Sequence, residues 1–404
     1  MAIRTAATAL DVRAVQAALA VDQLDGWLLY DFHGLNGIAG DVTSVTRQAR
    51  LGGHLATRRW YYLIPSAGTP RGLVHAIERD TLAHLPGRID YYAGREQLES
   101  GLRRLLSGIG RVAMEYSPHC AIPAIARVDA GTVEFVRQFG VEVVSSGDLI
   151  QRFVALWDER AASTHLRASE ALHAIKDRAF EEVARRLSGS IPTSEYDIQQ
   201  HMVTWFRDAQ LLSDSPPNVS AAEHAGNPHY LPTATTSRLI GRDELLLLDL
   251  WAKIDEPGAV YADITWVGYT GRRPSSAHIR AFEVVRAARD AAVSLVERAA
   301  RAGDTLCGWQ VDRAASSVLR EAGYGDHILH RTGHSLGEEV HGSGVNMDDY
   351  ETHDDRRLLA GTGFTIEPGV YFDDFGVRSE INMMVLARDA VVTGPRQTEI
   401  IALV

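Results

Sequence analysis

The chain of 404 residues predicts an α/β amino-terminal domain followed by an α+β domain made of two similarly built halves. Three observations lead to that fold class. Short apolar strand patterns alternate with helical ones from Val12 to about Phe153, which argues for a small layered domain with a mixed or parallel sheet. From Asp158 onward two helices followed by strands carrying two acidic residues are written twice, once before and once after Arg273-Pro274. The length also exceeds what one hydrophobic core usually supports, so the boundary is expected to divide 1–158 from 159–404.

In chain order, the apolar spacing of MAIRTAATALDVRAVQAALAVDQLDGW suggests an amphipathic helix, and Asp11, Arg13 and Asp22 interrupt any signal-peptide core. DGWLLYDF, RWYYLIP and RGLVHAI read as strands, REQLESGLRRLLSG as a helix, and RVAMEY and VEVVSSGDL as strands again. Asp158 to Leu187 is a charged helical stretch, and Thr193-Ser194-Glu195 opens a second helix with Ser194 suited to the N-cap. An extended, proline-rich segment runs to Pro232, ahead of a strand at Leu245 to Leu248. After Arg273-Pro274 a long helix (SSAHIRAFEVVRAARDAAVSLVERAARAG) and a shorter one (GWQVDRAASSVLREAGYG) precede further strands and turns. Residue identity between the halves is slight, so the repeat is one of structure.

Composition excludes several classes. Apolar residues make up 45% and charged residues 23%, an ordinary globular balance, and the net charge of −11 is interspersed rather than blocked. No nucleic-acid footprint is present, and anionic membrane surfaces should repel the chain. Cys120 and Cys307 have no CxxC spacing, so neither a disulfide framework nor a thiolate metal site is indicated, and a reducing cytoplasm is expected. No stretch approaches eighteen uninterrupted apolar residues, so no membrane span is expected.

The chemistry concentrates in five segments of the second domain: LLLLDLWAK, YADITWV, HRTGHSLGEEVHG, FTIEPGVYF and GVRSEIN. They carry Asp249, Asp263, His334, Glu367 and Glu380. Taken singly, an Asp at a strand end is usually a turn or cap residue, Glu-Pro-Gly a turn, and a Gly-flanked His a solvated or hydrogen-bonded histidine. Together, four carboxylates and one imidazole make a nest suited to two divalent ions. Asp249 and Asp263 are symmetric about Glu256, beside the turn signal Pro257-Gly258, and Glu367 and Glu380 are symmetric about Asp373-Asp374. Hairpins centred there would place each pair directly opposed on neighbouring strands, an arrangement of like charges that asks for cations. Arg378 shares a strand face with Glu380, two residues on, and could orient that carboxylate or bind substrate.

These segments, with Asn227-Pro228-His229-Tyr230, resemble the pita-bread metallopeptidases, which include methionine aminopeptidase, aminopeptidase P and prolidase. The resemblance covers about 164–404, and the preceding region resembles the amino-terminal domain of the creatinase, aminopeptidase P and prolidase branch. It implies that Asp249 holds the more exposed metal, that Asp263 and Glu380 bridge both ions, and that His334 and Glu367 complete the other shell. It further implies that His229 contacts the scissile region or the leaving nitrogen, and that His341 hydrogen-bonds the substrate carbonyl. Mn(II) suits a single nitrogen among oxygen donors, with Co(II), Zn(II) or Fe(II) as alternatives.

The expected activity is hydrolysis of Xaa-Pro bonds in small peptides, as an Xaa-Pro dipeptidase or, alternatively, an aminopeptidase P on longer peptides, in a homodimer. A metal-dependent lyase or amidohydrolase, or a binding module without catalysis, are the other readings. Three departures stand out. The two aspartates lie fourteen residues apart, a long spacing for the resemblance; Trp266 stands where an arginine-containing run is usual, so an ion pair is expected to be missing; and His353 falls near the place of the arginine that in prolidases pairs with the substrate carboxylate. Arg356 or Arg357 could substitute for it, although both read as surface residues.

Overall fold

The computed structural model describes residues 10–45 and 56–404. The part of the expected amino-terminal helix on residues 1–9 lies outside them. The chain divides into two compact units, Met1–Val154 and Ala155–Val404.

The first unit is built on a mixed six-stranded sheet in the order β4-β3-β2-β1-β5-β6. Its strands are β1 (Gly26–Asp31), β2 (Trp60–Pro65), β3 (Arg71–His75), β4 (Arg88–Tyr92), β5 (Arg111–Met114) and β6 (Glu142–Ser145). β1 and β2 are buried along their whole length, which is why GWLLY and WYYLIP are continuously apolar rather than alternating, with the buried Asp31 closing β1. Helices α1 (Val12–Val21), α2 (Gly37–Thr43), α3 (Arg95–Leu105), α4 (Ala130–Arg137) and the single turn α5 (Gly147–Ile150) complete the unit. β4 and α4 go beyond the expected elements: β4 is a half-exposed edge strand whose Arg88, Asp90 and Tyr91 give no alternation, and α4 is only about two turns long, with Val133 and Val136 on its buried face.

The second unit opens with α6 (Glu159–Ser188), capped by Asp158, and α7 (Glu195–Asp208), where Ser194 and Asp197 form a capping box. Residues 155–158 attach to this unit: the Trp157 N–H donates to Gly361 O and its indole to Leu336 O. β7 (Leu211–Leu212), β8 (Asn218–Ala221), β9 (Leu245–Ile254) and β10 (Ala262–Tyr269) follow, then α8 (Ser276–Ala302) and α9 (Gly308–Glu321). The last strands are β11 (Gly363–Ile366), β12 (Gly369–Tyr371), β13 (Gly376–Arg378), β14 (Ile381–Val385), β15 (Ala390–Val392) and β16 (Ile401–Ala402). Two helices followed by an antiparallel pair, β9–β10 and then β11–β14, recur as the sequence pattern suggests. Apolar faces of α6 and α7 pack with β9 and β10, and those of α8 and α9 with β11 and β14, so each half has its own core. The halves join where the Asp263 N–H donates to the Asn382 side chain at 3.0 Å and the Glu380 N–H to Thr265 O at 3.2 Å.

Trp266 points away from that junction into the α6 side. The ion pair expected to be missing is replaced by a cation over the indole: Lys176 of α6, itself buried, places Nζ 3.8 Å from the ring centroid. His165, one further buried group of α6, bonds Tyr261 O through Nδ1 at 2.8 Å and Thr393 Oγ1 through Nε2 at 2.7 Å. Burial depresses its pKa to about 4. The folded state therefore keeps His165 neutral while the unfolded chain takes up a proton below about pH 6.5, so its contribution is present above that pH and is lost as pH falls toward 4. His165→Gln keeps one donor and one acceptor without titrating. Its unfolding free energy is expected to fall less steeply than that of the wild type between pH 7 and 4, by an amount on the order of 3 kcal/mol at the acid end; parallel profiles in denaturant titrations would exclude the effect.

Candidate metal centre

The centre is assembled from β9, β10, the turn after Thr332, and the two strand ends that flank the β12–β13 hairpin. Asp249 lies opposite Thr265 in the β9–β10 ladder, and Asp263 opposite Trp251. This corrects the directly opposed pair expected from symmetry about Glu256. The hairpin is centred one residue later, on Pro257, which slides the register by two and makes the aspartates diagonal neighbours. A slip of two keeps both on the same sheet face, and a slip of one would have separated them. Both ladders flanking the second hairpin, Ile366 with Ile381 and Gly369 with Arg378, continue to a Glu367–Glu380 pairing. The two glutamates themselves fall outside the strands: the Glu367 N–H donates to Thr332 O at 2.7 Å, and the Glu380 N–H to Thr265 O.

His334 is held by exchange of hydrogen bonds with Thr365. Its N–H donates to Thr365 Oγ1 at 2.9 Å, and its carbonyl accepts from the Thr365 N–H at 2.9 Å. Gly333 permits this approach, because a Cβ there would lie 2.1 Å from Thr365 O. On the far side of the same turn, buried Asp312 of α9 accepts the N–H and the hydroxyl of Thr332.

Asp263, His334 and Glu380 are buried and each offers a ligand atom, all within 4.8 Å of one another. His334 Nε2 lies 3.6 Å from Asp263 Oδ2 and 3.4 Å from Glu367 Oε1. Its Nδ1 faces Ser335 O at 3.1 Å, so Nδ1 carries the proton and Nε2 turns a lone pair toward two carboxylates. Asp249 belongs to the same group through Thr265, whose hydroxyl lies 3.0 Å from Asp249 Oδ1 and 2.8 Å from Glu380 Oε2. One hydroxyl proton cannot serve two carboxylates.

The electrostatics follow from burial. Asp263 and Glu380 are pushed well above the ordinary carboxylate range, first by burial and then by their acidic neighbours, and Asp249 is raised for the same first reason although Arg378 opposes it. Burial also acts to raise Glu367, but His334, His330, Arg378 and Arg331 hold it below its usual value. Burial lowers His334, and it lowers His341 to about 4, with His334 adding to the effect. Asp263 Oδ1 and Glu380 Oε1 are buried with no hydrogen-bond partner among the described residues. Orphaned carboxylate oxygens, an imidazole lone pair aimed at acids, and oxygen donors converging from both halves fit divalent cations.

The remaining candidates divide. Arg378 is buried in the cluster: Nη2 pairs with Asp249 Oδ2, Nε donates to Thr265 Oγ1 at 3.0 Å, and Nη1 to the Tyr371 hydroxyl at 3.1 Å. His341 lies beside His334, with ring centroids 4.3 Å apart and the rings tilted by 55°. His229 is exposed, and its backbone N–H closes a local turn on the Asn227 side chain. His353 is also exposed; it pairs with Asp349 at 2.6 Å and stacks on Trp309, and these are its partners in place of the carboxylate cluster. Arg356, expected at the surface, is buried and bonded to Asp354 and to the carbonyls of Ser343 and Gly344.

Sequence reasoning missed Thr265, Tyr371 and His330. Thr265 was accessible, since it alternates onto the face of Asp263. His330, four residues before His334 and bonded to the Tyr371 hydroxyl at 2.7 Å, was signalled only by that spacing. Tyr371 depends on the hairpin geometry.

Dipeptidase PepE from Mycobacterium ulcerans has a similar structure, with a TM-score of 0.72, 20% identity and coverage of 97% of this chain and 96% of that one. The prolidase from Pyrococcus horikoshii OT3 gives 0.64, 19%, 96% and 99%. Both likenesses establish the pita-bread fold behind an amino-terminal unit. The Xaa-Pro dipeptidase of Lactobacillus helveticus is 35% identical over 163 residues, 40% of each chain, and that of Lactobacillus delbrueckii subsp. lactis is 34% identical over 172 residues, 42% of each. These matches span about two fifths of the relatives' length. Residues 167–387 match the family model as well, more than half of the sequence, so the chain belongs to the metallopeptidase family M24.

Proposed function

We propose that the protein hydrolyses Xaa-Pro bonds as an Xaa-Pro dipeptidase, with Asp249, Asp263, His334, Glu367 and Glu380 holding two divalent ions, Mn(II) favoured. The observation that carries the reading is the convergence of Asp263, His334 and Glu380 at one buried point, with carboxylate oxygens left without partners. When bound, the ions supply polarisation of a carbonyl and a water acidic enough to act near neutral pH.

The chain's own residues would do the rest. Glu367 Oε1 accepts from the Thr365 hydroxyl at 3.0 Å, leaving Oε2 to carry a proton to the leaving nitrogen. His341 stays neutral at working pH because burial depresses it, so it can donate a hydrogen bond to the substrate carbonyl without adding charge to the site. His229, on its exposed turn, would meet the substrate from the open side. Arg378 fixes the Asp249 carboxylate through a charge-assisted bond. The tertiary nitrogen of an Xaa-Pro bond offers no N–H, so recognition would rest on shape and these placed groups. Cleavage of longer peptides, as by an aminopeptidase P, is the second reading; a homodimer and a cytoplasmic location accompany both as expectations. Among the described residues no helix is long and apolar enough to cross a membrane.

The test is a panel on protein reconstituted with Mn(II): Xaa-Pro dipeptides, Xaa-Pro-Yaa tripeptides and Xaa-Ala controls, with Glu367→Ala as the blank. Dipeptides are expected to be cleaved and the blank to be inert. Activity in the blank equal to the wild type would remove the site, and tripeptides turned over faster than dipeptides would move the assignment to an aminopeptidase.

A further inference from the structure

The amino-terminal unit holds a cleft of about 1060 Å³ that peptide hydrolysis at the metal centre does not use. In the sheet of this unit β1, β3, β4, β5 and β6 run the same way and β2 runs against them. The cleft lies at the edge where β1, β3 and β4 end, β2 begins, and α3 and α4 start. In open α/β sheets the crevice outside the carboxyl ends of the strands is where small ligands are held. Its rings come from Tyr30 of β1, Tyr92 of β4, Phe135 of α4 and Phe32 just beyond β1. Tyr61 stands directly across the ladder from Tyr30, with ring centroids 5.0 Å apart, so it shares the face of the sheet on which the cleft opens. Tyr61 is fully buried, and its hydroxyl has no partner among the described residues. A buried hydroxyl ordinarily has one, and the neighbouring tyrosines do: Tyr92 donates to Arg59 O at 2.8 Å, and the Tyr30 hydroxyl faces Asp129 Oδ2 at 3.5 Å.

Arg58, Arg59 and Arg95 line the same cleft, in a chain whose net charge is −11. Among the described residues no carboxylate lies within 4.0 Å of any of these three guanidinium groups. The two acids of the lining are engaged elsewhere: Asp129 accepts the N–H and the hydroxyl of Thr132 and so caps α4, and Glu99 lies 3.8 Å from Arg103. α3 begins beside Arg95 at Gly94, which has no side chain to cap it, so the N–H groups of its first turn have no side-chain acceptor where Gly94 and Arg95 line the cleft. Guanidinium groups from two separate segments and an uncapped helix start offer more donors than the two oxygens of a carboxylate take up, and they suit the three oxygens of a phosphate. The ring-lined walls suit a flat apolar body, and the volume is at the upper end of the range for small-molecule sites.

We propose that this cleft binds a phosphate monoester of mononucleotide size, with the phosphate on Arg59 and Arg95 at the start of α3, the ring against Tyr30 and Phe135, and the Tyr61 hydroxyl donating to the ligand. The site is made wholly by the first unit, and it stands or falls independently of the peptidase reading.

The experiment is calorimetric titration of the full chain with AMP, adenosine and inorganic phosphate, on the wild type, on the double variant Arg59→Gln with Arg95→Gln, and on Tyr61→Phe. The wild type is expected to bind AMP with a Kd below about 1 mM and adenosine at least roughly ten-fold more weakly, and phosphate should compete with AMP. The double variant should lose roughly ten- to a hundred-fold in affinity for AMP and for phosphate, as expected for charged hydrogen bonds, and should bind adenosine as the wild type does. Both arginines are exposed, so its melting curve should match that of the wild type. Tyr61→Phe breaks no hydrogen bond among the described residues, so it should weaken AMP by roughly five-fold without lowering the melting temperature. The assignment is overturned if neither AMP nor phosphate binds at about 10 mM, if AMP and adenosine bind alike, or if the double variant or Tyr61→Phe keeps wild-type affinity for AMP. Should the double variant melt early, Arg95→Gln alone carries the test, and unchanged affinity for phosphate there is equally fatal.

Discussion

Asp263→Asn is expected to reduce hydrolysis by roughly a thousand-fold, about 4 kcal/mol in the barrier, while raising the melting temperature of the metal-free protein. The two effects have one cause. Asp263 is buried, one of its oxygens has no partner among the described residues, and Asp249 and Glu367 add like charge to the penalty of burial. A buried charge without compensation destabilises the fold, and replacing it with a neutral isostere recovers about 1–3 kcal/mol. For a unit of this size that corresponds to about 3–8 °C. Because Asp263 and Glu380 titrate above the unfolded value, the folded metal-free protein binds protons more tightly than the unfolded chain. Its stability therefore falls as pH rises from the ordinary carboxylate range up through their raised pKa values. Divalent ions should reverse this, adding about 2.7 kcal/mol at a hundred-fold excess over Kd. Thermal scans in chelator and in Mn(II) decide the matter. Wild type should gain stability with Mn(II) and Asp263→Asn should not; an equal gain in both, or a metal-free variant less stable than wild type, would remove Asp263 from the site.

How much of this was legible in the sequence varies with the kind of information each element carries. The long helices α6 and α8 were plain because their apolar faces recur at helical spacing over many turns and Asp158 and Ser275 cap them. The five acidic and histidine positions were plain because their order and strand context are local. Register was less so. Symmetry of residue numbers assumes the turn sits midway, and the extra residues of Lys253 to Tyr261 place the reversal on Pro257 instead. The second hairpin obeyed the same symmetry because its turn at Asp373-Asp374 is tight. Side-chain networks were least legible. That Thr265 joins Asp249 to Glu380, or that Lys176 covers Trp266, depends on which faces meet in three dimensions, and no spacing rule states it. His353 illustrates the converse: a position counted back from Glu367 crossed the 349–357 turns, where Asp348 and Asp354 bind the backbone and reset the chain's direction.

Arg378→Met is the second change with a large expected effect, and its size should depend on metal. Arg378 is buried beside four carboxylates and joins Asp249, Thr265 and Tyr371, so it is the main fixed countercharge of the cluster. Removing one partner of a buried pair leaves the other uncompensated, which costs about 3–5 kcal/mol. In the metal-free protein Arg378→Met should therefore lower stability by that amount. The double variant Asp249→Asn with Arg378→Met should recover most of it, because the orphaned charge is gone, and the coupling energy read from the cycle should be roughly 1.5 kcal/mol or more. A divalent ion at Asp249 would supply the missing positive charge itself, so saturating Mn(II) should shrink both the single-variant loss and the coupling. Denaturant titrations of the four proteins, each with chelator and with Mn(II), give the two cycles. Coupling that does not change with metal would mean that Asp249 binds none, and that the Arg378 pair is a structural ion pair beside the site.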